Sequence, residues 1–533
     1  MRKPAWWEHG IIYEIYARSF QDSNGDGVGD LKGITSRLDY LRWLGITALW
    51  ITPVYPSPMK DFGYDVANYT DIDPVFGTLA DFDNLIEQAQ GRGLRVILDF
   101  VPNHTSDRHP WFCESRSSRS NPKRDWYIWR DAKPDGSPPN NWISNFGGSA
   151  WEWDAATGQY YYHAFLKEQP DLNWRNPDVR ATMFNVLRFW LDRGVDGFRV
   201  DVLWHLMKDP QFRDNPPNPA YQPNQAEIDK YLQLYSADQP DTHYVVQEIR
   251  GILDTYKDRV LIGEIYLPIE RLIAYYGKDV GEAHLPFNFQ LLQTPWNARR
   301  VGAVIREYDG IIPEQHWPNW VLGNHDKPRI AARIGQAQAR VAAMLLLTLR
   351  GTPTLYYGDE IGFAERSIAK EFIRDPWERN EPGLGLGRDP QRTPMQWDAS
   401  ANAGFTTGIP WLPVSPDCST CNVETLAKDP DSILSLYRRL ISWRQDSPAL
   451  TEGRYRQIES VDSGDLLCFE RRAGSERAVV LLNFGGKNEV AEAPEFAGLK
   501  VAIGTHAGRE GEIVDAKVKL RPNEGVILAP VAD

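Results

Sequence analysis

Leu94-Arg-Val-Ile-Leu-Asp99, continued by Phe-Val-Pro-Asn-His104, is an apolar run that ends on polar side chains. The same pattern returns at Gly197-Phe-Arg-Val-Asp201, Ile262-Gly-Glu264 and Gly323-Asn-His-Asp326. A parallel strand buried on both faces reads as a continuous apolar run, and in a barrel such strands deliver polar side chains to one rim. Three carboxylates, Asp201, Glu264 and Asp326, are thus expected at one rim from distant stretches of chain.

Further strand-like runs lie at Gly10-Ile-Ile-Tyr-Glu-Ile-Tyr16, Ala48-Leu-Trp-Ile-Thr52, residues 260–264, Leu285-Pro-Phe-Asn-Phe289, Trp320-Val-Leu322 and Thr354-Leu-Tyr-Tyr357. Helical patterns over residues 34–44, 79–92 and 179–193 fall between them. Eight such strands predict an α/β fold, a (β/α)₈ TIM barrel, with the Leu285 strand the weakest. Roughly 90 residues separate the third and fourth strands, far more than an ordinary connection. Residues 104–174, rich in Trp, Tyr, Asn, Pro and Gly, therefore read as an inserted subdomain. Two more long connections, around Arg213-Asp-Asn-Pro-Pro-Asn-Pro-Ala-Tyr221 and over residues 374–398, fall on the same rim. Beyond a helix at 432–444 the texture changes to short alternating strands such as Asp465-Leu-Leu-Cys-Phe-Glu470, a C-terminal antiparallel β-sandwich. The expected division is 1–103 with 175–449 for the barrel, 104–174 for the insertion and 450–533 for the sandwich.

The chain has 533 residues, a net charge of −13 and 42% hydrophobic residues. That acidity argues against nucleic acid or an anionic membrane as partner and leaves a neutral small molecule unaffected. No run approaches the roughly 20 apolar residues of a membrane span, and no apolar segment follows Arg2 and Lys3 as in a signal peptide. Cys418-x-x-Cys421 lacks a second pair and is read as a surface coincidence, so the composition fits a reducing cytoplasm. Oligomeric state is left open.

Arg199 and Asp201, two apart on a strand, share a face, and a guanidinium beside a carboxylate favours its ionised form. The apolar setting of Glu264 favours its protonated form, as a general acid needs. His104 and His325 can hydrogen-bond sugar hydroxyls, and Tyr64 offers a ring face. Two carboxylates among such groups are the minimal equipment for cleaving a glycosidic bond.

In order and wording these segments resemble the α-amylase superfamily, glycoside hydrolase family 13, in its α-glucosidase and oligo-1,6-glucosidase branch. The branch phrases are Asp61-Phe-Gly-Tyr-Asp65, Gln169-Pro-Asp-Leu-Asn-Trp174 and Arg392-Thr-Pro-Met-Gln-Trp-Asp398. The resemblance implies Asp201 as nucleophile, Glu264 as acid/base and Asp326 as the third carboxylate. It further implies that Asp61, Tyr64, His104, Arg199, His325 and Arg392 grip a terminal glucose. Phe146 and Phe165 match its aromatic walls, with plain packing as the alternative. The activity implied is exo-acting release of glucose from short α-glucosides with retention, with transglucosylation where water is excluded. A sucrose- or trehalose-processing transferase or isomerase shares the same residues, and a non-catalytic relative is the remote alternative. Val202, after the nucleophile, leans toward α-1,6 links, whereas the long loops resemble enzymes of mixed linkage.

Asp22-Ser-Asn-Gly-Asp-Gly-Val-Gly-Asp30 places Asp22, Asn24, Asp26, the Val28 carbonyl and Asp30 at alternate positions, as in a calcium loop of EF-hand type. The closing Glu is absent, because Gly33 stands in its place. The resemblance implies one structural Ca²⁺ here, with Mg²⁺ as the alternative ion and no organic cofactor. An Asx-rich turn without metal is the competing reading.

Overall fold

The computed structural model describes residues 4–279, 281–364, 367–461 and 464–531. Eight parallel strands build the barrel: β1 (Ile12–Ile15), β2 (Ala48–Ile51), β3 (Arg95–Phe100), β4 (Gly197–Val200), β5 (Val260–Gly263), β6 (Leu285–Pro286), β7 (Asn319–Val321) and β8 (Thr352–Tyr356). They pair in the order β7-β8-β1-β2-β3-β4-β5-β6. The ring closes between β6 and β7 through a single parallel bridge, Asn288 to Trp320. The expected strand at Leu285 is thus present but shortened to two residues, Pro286 having no N–H for a ladder.

Side chains alternate across each strand. Ile12, Ala48, Trp50, Ile97, Val260, Ile262 and Leu285 form a cluster inside the barrel. Their neighbours Tyr13, Leu49, Val96, Leu98, Phe198 and Leu261 pack outward in the main core with residues of the surrounding helices. Both faces are apolar, which is why the strands read as unbroken hydrophobic runs. The same alternation fixes the site. One step beyond the inward apolar positions come Glu14, Asp99 and Arg199, again inward at the C-terminal ends.

The insertion contributes a helix, Pro110–Ser117, and a three-stranded antiparallel sheet of Trp129–Arg130, Gln159–Tyr162 and Trp151–Asp154. Its small core of Ile128, Trp142, Trp151 and Tyr162 packs Phe212 and Tyr235 of the connection after β4. Two of the rim insertions therefore brace each other.

At the C-terminal end, five antiparallel strands run in the order Arg454–Gln457, Leu466–Ala473, Glu476–Asn483, Gly525–Pro530, Leu499–Gly504. Glu489–Glu492 pairs with Lys517–Leu520 as a second sheet. Leu466 and Cys468 face the core shared with Ala491, Val518 and Leu520, while Leu467 and Phe469 join the barrel core. Period-two alternation thus seats the sandwich on the barrel.

Candidate active site

Asp61, Tyr64, His104, Phe146, Phe165, Asp201, Val202, Glu264, His325 and Asp326 all line one pocket of about 300 Å³ at the C-terminal rim. Chain segments more than 200 residues apart meet there, as barrel geometry requires. The other two expected residues, Arg199 and Arg392, are fully buried directly behind the wall.

Arg199 is the hub. Its Nη1 lies 3.0 Å from Asp99 Oδ1 and 2.7 Å from Asp201 Oδ1, and its Nη2 lies 2.8 Å from Glu264 Oε2. The backbone N–H of Val202 donates to Glu264 Oε2 at 2.8 Å. Sequence reasoning set Arg199 beside Asp201 alone, but the guanidinium touches both carboxyls and so does not by itself choose which is ionised. Burial pushes both pKa values up, Asp201 well above the usual range, with repulsion from Glu264 adding to it. Two buried carboxyls on one guanidinium titrate as a coupled pair.

Asp326 is the opposite case. Burial works against its charge, but the Arg388 and Arg392 guanidiniums outweigh it and hold its pKa far below the usual carboxylate range, with His325 Nε2 3.2 Å from its Oδ2. Arg392 Nη2 stands 2.7 Å and Arg388 Nη1 3.2 Å from Asp326 Oδ1. His325 is stacked between Tyr16 and Tyr64, with Nδ1 2.5 Å from Glu14 Oε1 and Nε2 2.8 Å from the Tyr64 hydroxyl. Burial drives its pKa well below the ordinary histidine value, so the ring is neutral. His104, likewise pushed down to about 4 by burial, reaches the Tyr64 carbonyl and Gln169.

Several residues of the site were not singled out from the sequence. Arg388 lines the pocket and joins Asp61, Asp326 and Asp375, whereas Arg392 stays behind Asp326. Glu14 and Asp99 anchor His325 and Arg199 from inside the barrel. Trp377, Tyr266 and Lys327 form the outer wall, the Lys327 Nζ lying 5.5 and 5.8 Å from the two rings. Phe146 and Phe165 meet edge to face at 5.8 Å, and the Arg388 guanidinium stands 4.9 Å over Phe146. An aromatic rim over a charged floor suits a pyranose, apolar on its faces and polar at its edge.

The Asp22–Asp30 loop lies apart from this pocket. Asp22 accepts hydrogen bonds from the N–H groups of Asn24, Gly25 and Gly27, and Asp30 from Ser23 and Gly33. The Thr406 hydroxyl, followed by those N–H groups, holds Asp22 below its ordinary pKa against burial, so it is charged. Among the described residues, no ion pair reaches Asp22, Asp26 or Asp30, and no group of three or more His, Cys, Asp or Glu side chains converges on a metal position. The donor chemistry, carboxylate and carbonyl oxygens at alternate positions, fits a hard cation; both Asp26 oxygens and Asp30 Oδ1 accept one hydrogen bond each and keep a lone pair, whereas both Asp22 oxygens and Asp30 Oδ2 already accept two. Among the described residues no disulfide joins the four cysteines, and no helix is long and apolar enough to cross a membrane.

The model of the α-amylase catalytic domain matches residues 14–453. A probable α-glucosidase of Rhizobium meliloti (strain 1021) is 42% identical, over 99% of this chain and 97% of its own. The oligo-1,6-glucosidase of Parageobacillus thermoglucosidasius is 38% identical, over 97% of this chain and 98% of its own. The crystal structure of an α-glucosyl transfer enzyme superposes with a TM-score of 0.93 at 38% identity, covering 99% of this chain and all of that one.

Proposed function

The chain belongs to the α-amylase family and is a glycoside hydrolase, and we propose that it is a retaining, exo-acting α-glucosidase that frees glucose from the non-reducing end of short α-glucosides of the isomaltose and maltose type. One observation carries the reading: two buried carboxyls share one guanidinium in a pocket whose mouth is ringed by aromatic side chains. Asp201 Oδ1 and Glu264 Oε2 stand 2.7 and 2.8 Å from the two terminal nitrogens of the same guanidinium, which suits the closely spaced pair of a retaining enzyme, about 5–5.5 Å apart, better than the roughly 6.5–9.5 Å of an inverting one.

In this reading Asp201 attacks the anomeric carbon as the glycosidic C–O bond breaks, and Glu264 gives its proton to the departing oxygen. Glu264, now ionised, takes a proton from water, whose oxygen displaces Asp201 and releases α-glucose. Asp326, Asp61, His104, His325 and Arg388 hold the glucose hydroxyls, with Arg392 fixing Asp326 from behind. Phe146 and Phe165 flank the ring, and Val202 faces the link to be cut. If an acceptor sugar replaces water, the same intermediate gives transglucosylation. The likeness to an α-glucosyl transfer enzyme supports that second outcome, and a sucrose-type transferase shares the same floor.

The proposal extends to a structural Ca²⁺ held by Asp22, Asn24, Asp26, the Val28 carbonyl and Asp30. Mg²⁺, which demands near-octahedral geometry, suits that loop less well. Four cysteines without a disulfide support a cytoplasmic site of action.

Glucose release from isomaltose, maltose and sucrose at equal concentration, with products resolved by chromatography, tests the reading. Isomaltose or maltose as best substrate supports it, a dominant sucrose activity moves the assignment to the transferase, and three inert substrates overturn it.

A further inference from the structure

Among the described non-glycine residues held at positive φ, Val202 is the one with a β-branched side chain (φ 36°, ψ 47°). Branching at Cβ makes the left-handed region strained, and such strain persists only where the surroundings over-determine it. Three contacts do so here. Asp201 N–H donates to the Phe100 carbonyl at 2.8 Å, and the Val202 carbonyl accepts the His205 N–H at 2.8 Å. Leu203, fully buried, fills the space over Gly263, where an added Cβ would come within 2.6 Å of its Cδ2. That last contact clamps the turn after β4 onto the end of β5, one residue before Glu264. The twist at Val202 sends Leu203 into this contact and leaves the Val202 N–H 2.8 Å from Glu264 Oε2.

We propose that Val202 is a positioning residue, whose strained backbone holds the Glu264 carboxyl through its N–H at the angle needed to exchange a proton with the glycosidic oxygen. The inference rests on the α-glucosidase reading and assigns the backbone a role separate from the side chain's contact with substrate. The charged and titratable groups facing Glu264 are Arg199, Asp201, Asp99, Asp326 and Tyr266. Against burial, the Val202 hydrogen bond favours the ionised form of Glu264. Loosening it favours the protonated form, so the basic limb of kcat/KM moves to higher pH.

The test is kcat/KM on maltose and isomaltose across pH for Val202→Gly and Val202→Thr, with Tm for each. Glycine keeps the N–H and adopts positive φ without strain, so the turn is no longer locked. Val202→Gly is expected to lower kcat about tenfold, within the ~10²-fold cost of misplacing a group, and to move the basic limb up by about half a pH unit or more. Its Tm stays within a few degrees, the lost strain offsetting the added chain entropy. Val202→Thr keeps the branch and the strain, so its basic limb stays at the wild-type position while the preference between the two sugars shifts. An unmoved limb in Val202→Gly overturns the inference, as does an equal shift in Val202→Thr. A wild-type enzyme inert on both sugars overturns the α-glucosidase reading itself, and the inference with it.

Discussion

Arg388 Nη2 stands 2.7 Å from Asp61 Oδ1, joining residues 327 positions apart in the chain. The same nitrogen lies 2.7 Å from Asp375 Oδ1, and Nη1 reaches Asp326. Burial raises the pKa of Asp61 and this guanidinium opposes the rise, so Arg388 favours the ionised form of a carboxyl that lines the pocket. Lysine offers a single point charge where three carboxylates need a planar fork. Arg388→Lys is therefore expected to lower kcat/KM on maltose by about 10²-fold and to lower Tm, since unpairing a buried charge costs ~3–5 kcal/mol. Steady-state kinetics and a thermal melt decide it, and kcat/KM within twofold of wild type would count against the arrangement.

Replacing Asp201 separates activity from stability. Its pKa is raised by burial, so the folded state holds this carboxylate at a cost that an amide does not incur. Asp201→Asn should remove at least ~10⁴-fold of kcat, as loss of a covalent nucleophile does, while Tm stays level or rises. Near-wild-type turnover in a folded variant would remove Asp201 from the mechanism.

How much of this was legible beforehand depended on the element. β3, β4 and β5 announced themselves because burial on both faces leaves an unbroken apolar run with its polar residues at the end. β6 was faint because only Leu285 and Pro286 pair. Glu14 carried a usable signal: a charge inside Gly10-Ile-Ile-Tyr-Glu-Ile-Tyr16 must find a buried partner, and it does so in His325 Nδ1. Arg388 carried none. It belongs to an irregular connection without periodicity, four residues before Arg392, and its partners come from residues 61, 326 and 375, so only the folded loop decides which arginine reaches the pocket.

His109 gives a sharp pH prediction. Its Nδ1 accepts the Trp111 N–H at 3.1 Å and caps the helix Pro110–Ser117, which requires the unprotonated ring. Burial lowers its pKa to about 3. Unfolded, the ring takes up a proton near pH 6.5, so between about pH 6.5 and 3 the unfolded state binds more protons and stability falls as pH falls. At pH 5 this one group costs ~2 kcal/mol relative to pH 7.5. Asparagine caps helices and does not titrate, so His109→Asn should melt close to wild type at pH 7.5 and gain on it at pH 5. Parallel Tm–pH curves for the two proteins would refute the assignment.

Chelation tests the Asp22–Asp30 loop. With a Ca²⁺ bound, its removal leaves three carboxylates of one loop, two of them buried, without a counter-charge. A chelator should then lower Tm by several degrees, Ca²⁺ should restore it at lower concentration than Mg²⁺, and kcat on maltose well below the melt should hold. A Tm indifferent to chelator would mean that the N–H groups of the loop suffice.

The pocket mouth is drawn together by two glutamates. Glu381 accepts the Glu227 N–H at 2.8 Å and the Trp377 indole N–H at 2.9 Å, and Glu227 accepts the Gly148 N–H at 2.8 Å. Asn380 adds a bond to the Phe146 carbonyl at 3.2 Å. The insertion, the connection after β4 and the connection after β8 thus form one collar above the catalytic carboxyls. A collar of that kind admits a chain end and one further sugar more readily than the middle of a glucan, which is the physical basis for the exo-action proposed above. Glu381→Ala removes two of its hydrogen bonds without touching the floor of the pocket. Only the bond from Glu227 joins two connections, and at about 1 kcal/mol for that one bond the ratio of kcat/KM on maltohexaose to that on maltose should rise about fivefold. The collar limits chain length only if that ratio moves, and a constant ratio with intact maltose activity would place the selection deeper, at the aromatic walls formed by Phe146 and Phe165.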